Sequence, residues 1–163
     1  MIELALALNG DSAYTPPSHI LENLSDELAH RALPGAPHTI YAEVWHAAWW
    51  QHVTLDWVGG VETPCPAHNT MSFPSDEQAQ IESWADLCRR FLDGAEKAAA
   101  VANRTDTERR VVCPSPPGKP ARTMTVRDQL ESLAAHNAYH LGRVVLLRQI
   151  LGSWPPPSGG FAW

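Results

Sequence analysis

The stretch LAAHNAYHLGRVVLLRQILGSWPP, Leu133 to Pro156, decides how this chain is read. No proline interrupts it before Pro155, and Thr125 upstream is a favourable N-cap, so a long helix is predicted from about Val126 to Leu151. Gly152 stops it, because glycine readily takes the left-handed backbone that ends helices. A spacing of four places His136 and His140 on one face, one turn apart. Leu133, Leu147 and Ile150 continue that stripe, the side a helical bundle should bury.

Histidines inside an apolar stripe are costly unless their nitrogens find partners. Two readings compete: core histidines bonded to backbone or polar neighbours, or ligands of one metal ion that satisfies both. His46 strengthens the second. It lies beside Trp50 and Val53 on an apolar stripe of another predicted helix, and three inward histidines suffice for a site with an open coordination position. A metalloprotease is excluded, because Asn137 stands where that motif needs a glutamate directly after the first histidine. An all-nitrogen donor set suits Zn²⁺, Ni²⁺, Cu²⁺ or Fe²⁺ and disfavours Mg²⁺ or Ca²⁺.

Working outward, proline clusters at 16–17, 34–37, 64–66, 114–120 and 155–157 punctuate the chain. Helix is predicted over 1–9, then as two short pieces, one from a Thr15 cap to about Asn23 and one from Ser25 through Arg31. Thr39 to Val58 reads as the first long helix. Ile40, Val44, Ala47, Gln51, Leu55 and Val58 form one stripe, and His46, Trp50, Val53 and Trp57 a second. The next long helix is predicted from Ser75 to about Asn103, with Ile81, Trp84, Leu87, Cys88 and Phe91 inward. Residues 104–123 read as a polar, proline-rich excursion without a sheet. The expectation is one all-α domain over 1–163, an up-down four-helix bundle with irregular loops and an irregular tail at 157–163.

A chain of 163 residues with net charge −6 and no basic run does not suit nucleic acid. Three widely spaced cysteines, 65, 88 and 113, form neither a disulfide framework nor a zinc ribbon. With no apolar run of about 18 residues and no basic leader, the expectation is a cytoplasmic protein without membrane contact. His19, His30 and His68 read as solvated, His38 as a helix-entry residue bonded to backbone, and His52 as turned away from His46. Trp50 and Arg143 are candidate substrate-pocket residues. The plainer expectation for Arg143 is an ion pair with an acid on a neighbouring helix. Glu43, three residues before His46, is a candidate to orient a ligand or activate a water.

The stretch 133–156 closely resembles the C-terminal helix of DinB-like, or YfiT-like, proteins. Pro34 to Ile40, followed by Glu43-Val44-Trp45-His46-Ala47-Ala48-Trp49-Trp50, resembles their entry into helix two. The blocks keep that order from about residue 20 to the end. The resemblance implies a four-helix bundle with a metal held by one histidine of helix two and two of helix four, here His46, His136 and His140, with Zn or Ni foremost and Fe or Cu as alternatives. It also implies a homodimer. Some such proteins are metal-dependent transferases or isomerases using low-molecular-weight thiols, so a thiol S-transferase acting on small molecules is the leading expectation. The alternatives are a metal-dependent hydrolase and a non-catalytic stress-response module with a structural metal.

Overall fold

Hydroxyl caps and left-handed glycines set the helix boundaries. The computed structural model describes residues 2–10 and 12–160. The helices are α1 (Glu3–Asn9), α2 (Pro17–Ile20), α3 (Asp26–Ala29), α4 (Ile40–Gly59), α5 (Gln78–Ile81), α6 (Trp84–Ala102) and α7 (Val126–Ile150). The hydroxyls of Ser25, Thr39, Ser83 and Thr125 accept from the third following N–H and open α3, α4, α6 and α7. Gly10 and Gly60, at φ +79° and +91°, end α1 and α4. Met1, within the predicted first helix, lies outside the described residues, as do 161–163 of the predicted tail; residues 157–160 are irregular.

The structure departs from the sequence reading at several places. Thr15 does not cap α2: its hydroxyl donates to the Gly160 carbonyl at 2.8 Å, drawing the tail onto the N-terminal segment, and Pro16 takes the cap position. The helix predicted from Ser75 is broken at Glu82, which is extended (φ −102°, ψ 124°). Tyr41 donates to the Glu82 carbonyl at 2.9 Å and Arg90 grips the Glu82 carboxylate, so α6 starts afresh at Ser83. Ile81 is therefore on a detached turn and 83 % exposed instead of inward, and Ile150 likewise reaches solvent. Residues 104–123 do hold a sheet: β1 (Arg110–Cys113) and β2 (Arg122–Thr125) pair antiparallel, Arg110 opposite Thr125 and Cys113 opposite Arg122. Val111 and Cys113 face inward and Val112 outward, the period-two pattern of a half-buried strand. His30 is half-buried and not freely solvated. Its ring nitrogens lie 2.9 and 3.2 Å from the carbonyls of Asp26 and Ala79, and it stacks on Tyr41.

The architecture is an all-α bundle with this one hairpin at its side. The N-terminal segment, α4, α6 and α7 form the bundle. α7 runs antiparallel to α4, since Glu43 meets His140 and Arg143 while His46 meets His136. The middle pair departs from strict alternation: α4 and α6 run parallel. Tyr41 reaches Glu82 at one end, Gln51 packs on Gly94 midway, and Arg109 just beyond α6 donates to the Val58 carbonyl at the other end. Residues 60–83 carry the chain back along the bundle and bring Ser72 and Phe73 against His46 on the way.

One apolar cluster holds Ile40, Val44, Phe91, Leu141 and Val144. A second holds Leu8, Val53, Trp57, Leu130 and Leu133. Buried Gln51 and Asn137 lie between them along α4 and α7. Arg148 closes one end. It is fully buried, donates to the carbonyls of Ile20 and Ser153 at 2.5 and 2.7 Å, and lies over the Trp154 ring. No helix among the described residues is long and apolar enough to cross a membrane.

Candidate metal centre

His46 projects from the middle of α4, and His136 and His140 from successive turns of α7 that pack against it. One ligand atom from each lies within 4.8 Å of the others. The Nε2 atoms of His46 and His136 are 3.2 Å apart, and the ring centroids of His140 lie 4.6 and 4.4 Å from theirs.

Neighbouring groups fix which nitrogens face inward. A carbonyl only accepts, so the His46 Nδ1–H donates to Ser72 O at 3.0 Å and leaves Nε2 as a lone pair. The His140 Nδ1–H donates to Glu43 Oε2 at 2.6 Å, which leaves its Nε2 free in the same way. Carbonyl and carboxylate are the usual partners behind metal-bound imidazoles, because they set the tautomer and raise ligand basicity. Phe73 completes the support. It is stacked between His38 at 3.9 Å and His46 at 4.1 Å, both nearly parallel to it, which holds the His46 ring in plane. The structure therefore uses His38 in a ring stack.

Burial comes first and the nearby His140 second in lowering the pKa of His46 to about 4 and of His136 to about 3. Both are neutral imidazoles at neutral pH, the form that binds metals. A hydrogen bond between His46 and His136 would leave the free nitrogen of His140 outside it. A cation at their meeting point takes all three. Two nitrogens each 2.0–2.1 Å from a tetrahedral zinc are about 3.3 Å apart, close to the 3.2 Å between His46 and His136. The residues fit a divalent transition ion.

Glu43 is fully buried and faces two N–H donor groups. Besides His140 it meets Arg143, whose Nη2 lies 2.8 Å from Oε1, and Arg143 also donates to the Tyr139 hydroxyl at 3.2 Å. Arg143 thus has an acidic partner on α4, and it lies in a groove with Leu33, Ala36, Leu146 and Ile150, away from the cleft that reaches His136. That cleft, of about 430 Å³, runs from His136, Trp50 and Leu133 to the hairpin loop with Lys119 and Arg122. Trp50 stands edge-on to both His46 and His136 at 6.5 and 6.3 Å. Trp49 stacks edge-on against Trp50, while Trp45 lies under Arg90 on another face. Burial raises the thiols of Cys65, Cys88 and Cys113, Cys88 to about 12, so none is an activated nucleophile.

No periodicity or motif in the sequence marks Ser72, Phe73, Lys119 or Arg122. The first two act across a loop whose path no periodicity encodes. The last two belong to a segment whose prolines hid the alternation of Val111, Val112 and Cys113.

A family model described as the DinB superfamily matches residues 18–144, more than half of the chain, and the chain belongs to that superfamily. Its fold is similar to the crystal structure of a DinB-like protein from Bacillus cereus ATCC 10987, at 23% identity and a TM-score of 0.54 over 83% of each chain. No curated protein matches the sequence.

Proposed function

From this DinB-superfamily membership, we propose that the chain is a metal-dependent enzyme acting on small molecules, with His46, His136 and His140 holding one divalent transition ion, zinc or nickel first. The observation that carries the reading is the pair of fixed tautomers, His46 through Ser72 and His140 through Glu43, which turn nitrogen lone pairs toward His136. Fe²⁺ and Cu²⁺ share the same donor preference. When bound, the ion supplies a positive charge that lowers the pKa of a thiol or water at its open position.

The chain's own residues do the rest. Glu43 keeps the His140 Nδ1 proton in place and balances charge in the buried site. Trp50 and Leu133 give the cleft an apolar wall beside His136 and exclude water from that side. A small molecule in the cleft meets the histidine cluster at His136. Thiol S-transfer is the proposed reaction class, because such activity occurs among DinB-like proteins and the cleft has room for both a thiol and an electrophile.

The test is a comparison on the metal-loaded protein, with a low-molecular-weight thiol plus an alkylating electrophile in one arm and simple esters and amides in the other. Thiol consumption above the metal-free rate supports transfer; ester or amide cleavage alone replaces it with hydrolysis. A homodimer through the exposed apolar ridge of Tyr139, Leu146 and Ile150 is part of the proposal and is read by sedimentation.

A further inference from the structure

The cleft beside His136 has a charge pattern unlike the rest of this acidic surface. Seven arginines, 31, 89, 90, 104, 109, 127 and 143, each lie against a carboxylate. Lys97, Arg110, Lys119 and Arg122 form no ion pair among the described residues, but Lys97 lies in a groove that also holds Asp86 and Asp93, whereas Lys119 and Arg122 both line the cleft. No aspartate or glutamate lines it. In a chain of net charge −6, two unpaired cations facing one concave, half-apolar space form a local positive site.

Their placement follows from the hairpin. Cys113 pairs with Arg122 in register, so the 114–121 loop springs from the point where β1 lies against the bundle. Cys113 is held there by its buried thiol, which donates to Gln129 of α7 at 3.5 Å. Arg122 is close enough that its charge partly offsets the rise that burial imposes on the thiols of Cys65 and Cys113. The Trp50 indole lines the same cleft and offers it apolar area, with the almost fully buried Trp57 behind it.

We infer that the cleft binds organic acids: small molecules with an apolar body against Trp50 and a carboxylate held by Lys119 and Arg122. Arg122 supplies a planar fork matched to a carboxylate, and Lys119 a mobile point charge. This rests on the reading of the cleft as the substrate site and names the class of substrate it takes. It assigns the hairpin a specificity role: the cations hold the acid at one end of the cleft while the rest of the molecule reaches toward His136.

The experiment uses the full chain kept metal-free with a chelator, so that no carboxylate can be captured by an ion. Calorimetric titration compares 4-phenylbutyrate with the neutral 4-phenylbutyramide at low ionic strength, in the wild type, in the Lys119→Gln/Arg122→Gln double variant and in an Arg110→Gln control. Arg110 sits on the same hairpin outside the cleft. The wild type and the control should prefer the acid on the order of tenfold, and the double variant should lose that preference while still binding the amide. Equal binding of acid and amide by the wild type, absence of binding by either, or a preference that survives in the double variant overturns the inference. Because the ion is absent throughout, a failed metal site leaves this result standing, and a failed acid preference leaves the metal site untouched.

Discussion

Glu43 Oε2 accepts a 2.6 Å hydrogen bond from His140 Nδ1 across the interface of α4 and α7, between two side chains that are both buried. The bond sets the tautomer of one proposed ligand, and the same carboxylate also meets Arg143. Fold and site thus share one buried ionic network.

Glu43→Gln keeps the shape and removes the charge. The amide oxygen can still accept from His140, but the imidazole loses the carboxylate that raises its basicity. Metal affinity should fall about 10–100-fold, with the helical circular dichroism unchanged. Competition titration against a chromogenic chelator reads it. Unaltered affinity would mean that Glu43 serves only the Arg143 pair.

Metal-free protein should lose stability in mild acid. His46 and His136 titrate below the ordinary 6.5 in the folded state, at about 4 and about 3. The unfolded chain therefore binds more protons than the folded one once pH drops below about 6.5. Their contribution is present above that value and is lost progressively as pH falls toward 4 and 3. Between pH 6.5 and 5, before most carboxylates respond, the loss should total about 1–3 kcal/mol. Urea midpoints of the metal-free wild type and of His136→Gln, taken at both pH values, provide the check. The variant should show a shallower pH slope, and equal slopes would assign the effect elsewhere.

Thr125 ends β2 and caps α7 at once: its hydroxyl accepts from Asp128 N at 3.0 Å while Asp128 Oδ2 accepts from Thr125 N at 3.1 Å. Thr125→Ala removes one half of that capping box and should cost about 1–2 kcal/mol. A lowered urea midpoint with an unchanged m value is the expected signature. An unchanged midpoint would show that the hairpin holds the start of α7 without the cap.

The long helices were legible because their signals are local. Thr39 and Thr125 cap them, prolines and glycines bound them, and the stripes of Ile40, Val44 and Ala47 or of Leu133 and Leu147 mark their buried sides. The gathering of His46, His136 and His140 was legible for the same reason: each sits on the bundle side of a long helix. The break before Ser83 was not, because it depends on Tyr41 and Arg90 reaching Glu82 from a distance. The outward position of Ile81 follows from that break. The roles of Ser72 and Phe73 depend on the path of residues 60–83, which the parallel course of α4 and α6 dictates. The hairpin carried a sequence signal in Val111-Val112-Cys113, but four residues among prolines are too few to separate a strand from a loop.

The most direct measurement of the central claim is the metal content of untagged protein purified without added metal, beside a His136→Ala/His140→Ala variant. The wild type should carry close to one equivalent of zinc or nickel per chain, or take it up when offered, and a variant that keeps its helical spectrum should carry none. A wild type that stays metal-free when offered Zn²⁺ and Ni²⁺ would rule out the metal centre and make the three histidines polar residues of the core.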